Sequence, residues 1–197
     1  MSKVDYSLKG YERPNLSTPN GETKLLLHSC CASCAGDIME ALVASKLDVT
    51  IFFYNPNIHP EDEYDLRLKE VKRYCEKLSV ELIEGKYEHE QWLEFVKGFE
   101  HEPERGARCE ICFQKRLGEV ARKAKEDGFD AFASTLTISP HKPAEMVNNI
   151  GHELAELNKI QFIDNIWRKN EGFKKSCKIS DEEHFHRQDY CGCEFSL

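Results

Sequence analysis

The sequence predicts an α/β fold: a doubly wound parallel sheet with a cysteine-rich site at the carboxyl ends of its strands. Short apolar runs alternate with longer stretches of helical period from residue 24 to residue 163, and no internal repeat or low-complexity tract interrupts them. The first apolar run, Leu25-Leu26-Leu27, stops abruptly in His28-Ser29-Cys30-Cys31-Ala32-Ser33-Cys34. Alternating strands and helices pack as a parallel sheet with right-handed crossovers. Open sheets of that kind place ligands outside the carboxyl ends of their strands, so thiols that follow the first strand stand on the functional rim.

Residues 1–23 are polar, carry Pro14, Pro19, Asn20 and Gly21, and read as an N-terminal arm in which Tyr6, Leu8 and Tyr11 are the groups able to dock. Residues 24–197 read as a single domain. After the first strand, 34–46 carries Ile38, Met39, Leu42 and Val43 at helical spacing, and 48–54 is a β-branched and aromatic run that suits a buried strand. Asn55-Pro56-Asn57-Ile58-His59-Pro60 is a turn-forming loop. Tyr64, Leu68, Val71, Cys75 and Leu78 then form the apolar stripe of a second helix that runs into a third strand over 80–83. A short helix over 88–99 turns Trp92, Phe95 and Val96 inward, and a charged loop with Pro103 and Gly106 leads to Cys109-Glu110-Ile111-Cys112. The period of Ile111, Leu117, Val120, Ala121 and Ala124 predicts a helix over 111–128 with Gly128 as its stop. A fourth strand is expected over 129–138, a helix over 143–158 with Pro143 in its first turn, and a fifth strand at 161–163. Beyond Asp164 the chain turns polar and basic and ends in Tyr190-Cys191-Gly192-Cys193-Glu194-Phe195.

A net charge of -8 argues against coating nucleic acid by bulk electrostatics and leaves room for a focused basic patch. The apolar runs are too short to cross a bilayer and the polar start lacks a signal-peptide core, which makes the cytoplasm, without membrane attachment, the expected location. Nine cysteines in a cytoplasmic chain point to metal or reactivity rather than disulfides. Seven of them fall in three groups: Cys30, Cys31 and Cys34; Cys109 and Cys112; Cys191 and Cys193. Free cysteine often packs as a small buried hydrophobe, but Cys191 and Cys193 lie in a polar tail with no core-like period. A 4Fe-4S cluster or a structural zinc takes four thiols, and the three left over suggest a second metal or reactive thiols beside a labile iron. Cys109 at a helix N-terminus is expected to favour the thiolate. Cys75, on the apolar stripe, reads as core.

Among the remaining polar groups, His28, His141 and Tyr190 are the candidates for proton transfer beside the reactive thiols Cys30 and Cys31, and Arg187 and Gln188 for holding substrate. His59, His89, His101, His152 and His184 read as solvated surface. Asp37, Asp189 and Glu194 are the carboxylates nearest the thiols in sequence, and Arg105 and Arg108 are placed to balance thiolate charge near Cys109. Lys142, Arg168, Lys169, Lys174, Lys175 and Lys178 form the basic set available to a phosphate backbone.

Taken together, His28 through Cys34, Tyr54 through Pro60, Pro103-Glu104-Arg105-Gly106-Ala107-Arg108-Cys109 through Cys112, Thr135-Leu136-Thr137-Ile138-Ser139-Pro140, and Arg187-Gln188 leading into Tyr190 through Cys193 resemble the QueH type of epoxyqueuosine reductase over roughly residues 24–196. The resemblance implies a fold like the adenine-nucleotide α-hydrolase (PP-loop or HUP) superfamily. It also implies a 4Fe-4S cluster with an adjacent iron ion, and cobalamin-independent reduction of epoxyqueuosine in the tRNA anticodon to queuosine, fed by an external electron donor protein. On that reading all seven clustered thiols serve metal, with Cys31, Cys109, Cys112 and Cys191 on the cluster, and Lys142, Arg168, Lys174, Lys175, Arg187 and Gln188 on the substrate. The chain departs from the family pattern at Lys86, Ile166 and His186, where an acidic residue, an aspartate and a tyrosine are usual. Cysteines stand where an ATP pyrophosphatase would carry a phosphate loop, which argues against ATP use and against a tRNA thiolation enzyme. A zinc-stabilised tRNA-binding module without redox activity is the competing expectation.

Overall fold

A computed structural model describes residues 16–18 and 20–196. Strand β1 (Lys24–His28) is buried from Leu25 to His28, as a run apolar on both faces must be at the centre of a parallel sheet. It pairs in parallel with β2 (Asp48–Phe53) on one side and β4 (Ala131–Ser134) on the other. The outer strands β3 (Glu81–Glu84) and β5 (Gln161–Phe162) complete an all-parallel sheet in the order β3-β2-β1-β4-β5.

Strand alternation sends Leu25, Leu27, Ile51, Phe53, Ala131 and Ala133 to one face, covered by helices α1 (Ala32–Ala44), α2 (Glu61–Leu78) and α6 (Gly172–Glu182) through Ile38, Met39, Val71, Tyr74 and Ile179. Leu26, Phe52 and Phe132 face α4 (Ala107–Glu126) and α5 (Ala144–Asn158), which contribute Val120, Ala121, Ala124 and Ala155. Burying each Leu or Phe of these two cores contributes about 1.5–3 kcal/mol. Helix α3 (His89–Val96) packs Trp92 and Val96 against Cys112 and Cys193. The strand order reverses between β1 and β4, the switch point at which doubly wound sheets open a crevice.

The expected alternation holds, with three differences in its elements; on α3, Trp92 and Val96 turn inward as expected, but Phe95 is exposed. The fourth strand ends at Ser134, and Thr135–Ile138 closes into a 3-10 turn. There the Ser134 hydroxyl accepts the Leu136 N–H at 3.2 Å and bonds the His28 ring at 3.0 Å, so the chain bends just past the sheet. Helix α4 starts at Ala107 rather than 111, which brings Cys109 inside its first turn. Helix α6 was not expected from the lysine-rich tail; it buries Ser176, Ile179 and Ser180. Of the N-terminal arm, residues 1–15 and 19 lie outside the described residues. Leu16 packs on the core and its N–H donates to Ser45 Oγ at 2.8 Å, and Asp130 accepts the N–H groups of Thr23 and Lys24. Among the described residues no helix is long and apolar enough to cross a membrane.

Candidate metal centre and active site

Cys30 and Cys31 occupy the turn between β1 and α1, with Cys31 as the extended N-cap residue of the helix. The turn is fixed from behind. Asn55 Nδ2 donates to the Ser29 carbonyl at 2.9 Å, and Arg116 Nη2 donates to Asn55 Oδ1 at 2.7 Å. The sulfurs of Cys30, Cys31 and Cys34 all lie within 4.8 Å of one another. Cys109 and Cys112, three apart in the first turns of α4, project from one face of that helix. The C-terminal loop is brought over the site by Gly192, at φ +102°. A Cβ there would stand 2.9 Å from Ile58 and 3.1 Å from Arg67 Nη1, so only glycine permits the approach. The Gly192 carbonyl accepts the His59 N–H at 2.8 Å, and the Cys191 carbonyl accepts Arg67 Nη1 at 3.2 Å.

These segments enclose a cavity of about 270 Å³ whose walls include Cys34, Cys109, Cys112, Cys191 and Cys193. Cys30 and Cys31 lie buried beside it, in the same apolar cluster as Cys34 and Cys109. Three separate stretches of chain therefore bring seven thiols to the switch point, and all are free.

Their protonation is uneven. Hydrogen bonds with Cys31 and Cys34, helped by Lys142 and Arg116, hold the Cys30 thiol well below its ordinary value, while Cys31 is pushed up to about 11 and Cys34 higher still by sharing their protons with it. The Cys193 thiol, the Ser196 hydroxyl and Lys142 bring Cys191 down to about 5, and Cys193 rises in consequence. Burial works against charge on Lys142, but Cys30, Cys34 and Cys191 outweigh it and strengthen the ammonium. Cys109 does not become the expected helix-terminal thiolate: burial raises it and outweighs the Arg105 N–H that donates to its sulfur at 3.2 Å.

The donor set fits a thiolate-bound iron–sulfur group. Trp92 Nε1 and Arg116 Nε are buried without a hydrogen-bond partner. Both side chains lie against Cys112, where they favour its thiolate although burial raises it overall. Orphaned N–H donors beside sulfur are what cluster sulfurs would satisfy, and soft thiolates select zinc, copper(I) or iron–sulfur centres over hard cations.

A family model described as epoxyqueuosine reductase QueH matches residues 25–197. Three proteins named epoxyqueuosine reductase QueH are similar over three quarters or more of their own length. The one from Histophilus somni is 46% identical over 188 residues, 95% of this chain and 77% of its own. That from Haemophilus influenzae is 45% identical over 186 residues, 94% and 76% of the two chains. The Thermotoga maritima protein is 34% identical over 176 residues, 88% and 90%. The chain belongs to the QueH family. It is thereby an oxidoreductase, an epoxyqueuosine reductase of queuosine synthesis, and the expectation of a zinc module without redox activity gives way.

In this QueH chain the candidate residues separate by place. His141, Lys142, Gln188 and Tyr190 line the cavity, and Gln188 Nε2 donates to Cys31 Sγ at 3.1 Å. His28 does not line it: it is fully buried, its Nε2 donates to the Tyr54 carbonyl at 3.1 Å, its Nδ1 faces the Ser134 hydroxyl, and burial lowers its pKa to about 3. It braces β1 against its neighbours. Arg168 spends one guanidinium nitrogen on the carbonyls of Thr137, Ser139 and Lys142, which makes it the clamp of the loop that carries His141 and Lys142 rather than a free phosphate contact. Arg187 pairs with Asp181 at 3.2 Å and touches Cys177, beside a smaller cavity that shares Cys34, Ser139, His141 and Gln188 with the main one. Lys174 pairs with Glu171 on exposed α6, and neither it nor Lys175 reaches the main cavity. Arg105 lines the cavity and donates from Nε to the His141 carbonyl; Arg108 is buried and holds the carbonyls of Phe99, Glu100, Glu102 and Phe195. Asp189 is on the wall and Asp37 is buried in α1.

Four residues at the centre escaped the sequence reading: Asn55, Arg67, Trp92 as a polar group, and Arg116. Two had a legible signal. Arg116 stands one helical turn after Cys112, and Arg67, three residues after Tyr64 and four before Val71, takes the stripe position expected of Leu68. A charged residue on an apolar stripe is buried only when something balances it.

Proposed function

We propose that this chain reduces epoxyqueuosine in the anticodon of tRNA to queuosine in the cytoplasm, without cobalamin. It would use a 4Fe-4S cluster on Cys31, Cys109, Cys112 and Cys191 and an adjacent iron that draws on Cys30 and Cys34. The convergence of seven thiols on one cavity at the sheet's switch point carries the reading. Four thiols suffice for a cluster, and the close trio of sulfurs offers more ligands beside it than a single cluster consumes.

The reaction consumes two electrons and two protons, breaks both C–O bonds of the epoxide, releases the oxygen as water and leaves an alkene. When bound, the metal centre would supply electrons one at a time, received from an external donor protein, and a Lewis acid for the departing oxygen. The chain's own groups do the rest. Phe113 and Trp92 give the cavity apolar walls that exclude water from the reacting ring. Lys142, charged and half-buried, and His141 at the rim face the cavity and are placed to deliver protons to the departing oxygen. Tyr190 keeps its proton in a 2.5 Å hydrogen bond to the His59 carbonyl, so its oxygen positions substrate as an acceptor. The α6 lysines flank the smaller cavity, the side on which Phe173 and Ser176 of the same helix meet the rim. There they would take phosphates while the anticodon base enters the crevice.

The decisive experiment is anaerobic incubation of iron-loaded protein with epoxyqueuosine-containing tRNA and a chemical reductant, followed by nucleoside mass spectrometry. Loss of one oxygen from the modified nucleoside is the expected result. Unchanged nucleoside with fully iron-loaded protein, or purified protein that holds zinc and no sulfide, would overturn the proposal.

A further inference from the structure

His59 and His89 read from sequence as solvated surface and Glu194 as a carboxylate near the thiols, yet the fold gathers all three behind the C-terminal cysteine loop. One ligand atom from each lies within 4.8 Å of the others, and all are half-buried. The hydrogen bonds of His89 define its state. Nδ1 stands 2.8 Å from the Pro56 carbonyl oxygen, which can only accept, so Nδ1 carries the proton. Its other nitrogen, Nε2, stands 3.2 Å from Glu194 Oε1. A proton shared with the carboxylate satisfies this pair alone, and the approach of the His59 ring to the same two groups makes it a three-donor set for a metal ion. A histidine whose Nδ1–H is held by a backbone carbonyl while Nε2 points at a carboxylate has the second-shell arrangement of metal-binding histidines. His59 stacks on His89 with ring centroids 5.1 Å apart, and no described residue bonds its ring nitrogens.

We propose that His59, His89 and Glu194 bind one divalent transition-metal ion of the zinc or ferrous class, separate from the thiol centre. Two imidazoles and a carboxylate with an open position suit such an ion. Ligand bonds of about 2.0–2.2 Å place donor atoms roughly 3.4 Å apart. The His89–Glu194 separation already matches, and the half-buried His59 ring has only to turn in. The ion would work as a latch. His59 N–H holds the Gly192 carbonyl, and Glu194 follows Cys193, so the ion ties the 55–60 loop and α3 to the segment that carries Cys191 and Cys193.

The test uses iron-loaded protein, desalted after exposure to Zn²⁺, with zinc and iron counted separately by mass spectrometry and the zinc ligands read by X-ray absorption at the zinc edge. The expected result is one zinc per chain at unchanged iron, with nitrogen and oxygen neighbours near 2.0 Å and no sulfur shell near 2.3 Å. Glu194→Gln and His89→Gln should each lower zinc retention by tenfold or more while iron content is kept. No retained zinc, a sulfur shell, or retention indifferent to both substitutions would overturn the proposal. The ligand shell of the unmutated protein decides the matter even if a variant folds poorly. Because iron is counted independently, loss of the latch is distinguished from loss of the thiol centre.

Discussion

The buried chain of hydrogen bonds from Ser29 through Asn55 to Arg116 should behave as one unit, and a double-mutant cycle measures it. Asn55 and Arg116 are 0% and 3% exposed, and their bonds of 2.9 and 2.7 Å hold the carbonyl just before Cys30. Arg116→Met removes the donor to Asn55 Oδ1 and orphans a buried acceptor, a cost of about 1–3 kcal/mol. Asn55→Leu is worse, because it strands the Ser29 carbonyl and leaves a guanidinium buried without its partner; orphaned buried charges cost about 3–5 kcal/mol. In the double variant that charge is gone, and apolar groups of similar size replace both partners, a change that can be close to neutral for the bond itself. The double variant should therefore be less destabilised than the sum of the singles by about 2–3 kcal/mol. Urea unfolding of the reduced, metal-free protein at mildly acidic pH, where most thiols are protonated, reads the four corners of the cycle. Single costs that add to within about 0.5 kcal/mol, the behaviour of independent sites, would refute the idea that this network carries the cysteine turn.

Cys75, 2% exposed and pushed up to about 12 by burial, favours its neutral form in the fold; that stability is complete below the unfolded value near 9 and is lost as pH rises toward 12. The stability gap between the parent and Cys75→Ala should accordingly narrow by about 1 kcal/mol between pH 9 and pH 10 in urea melts, and the variant should retain its full iron content, whereas Cys112→Ala should lose iron. Gly151→Ala on α5 would place a Cβ 2.3 Å from the Phe162 ring, and overpacking of this kind costs about 1–3 kcal/mol, which calorimetry would register as a midpoint lower by several degrees. Reversal of Lys174 and Lys175 to glutamate should weaken tRNA binding and flatten its salt dependence without changing iron content; an unchanged salt slope in filter binding would remove α6 from the interface.

The parts of the fold that were legible in the sequence are those whose signal is local. β1 and β2 announce themselves because strands at the centre of a parallel sheet must be apolar on both faces, and α2, α4 and α5 because each keeps one stripe on the sheet. Thr135–Ile138 misled for the same reason: a short apolar run looks alike as a buried strand or as a buried turn, and the Ser134 side chain, which caps the turn, decides between them. α6 hid because its core contact rests on Ile179 and two small serines, too sparse a pattern to outweigh Lys174, Lys175 and Lys178 within eleven residues.

At the centre, residue type could be read but pairing could not. Clustered thiols stand out in a sequence wherever they lie, and the fold brings the seven of them to one end of the sheet. The groups that decide how those thiols are charged are ordinary arginines, an asparagine and a tryptophan, and their meaning depends on burial. Histidine shows the gap most clearly. His28, beside the cysteines in sequence, is a brace with both nitrogens spent in the core. His89, 105 residues from Glu194, meets that carboxylate only because the C-terminal loop crosses the rim at Gly192. Proximity in sequence is a poor guide to which histidines meet across the rim, since a parallel sheet gathers that rim from the ends of strands far apart in the chain. A ligand search in this fold should follow the strand order, with β1, β2 and β4 and the loops that follow them read as a single surface.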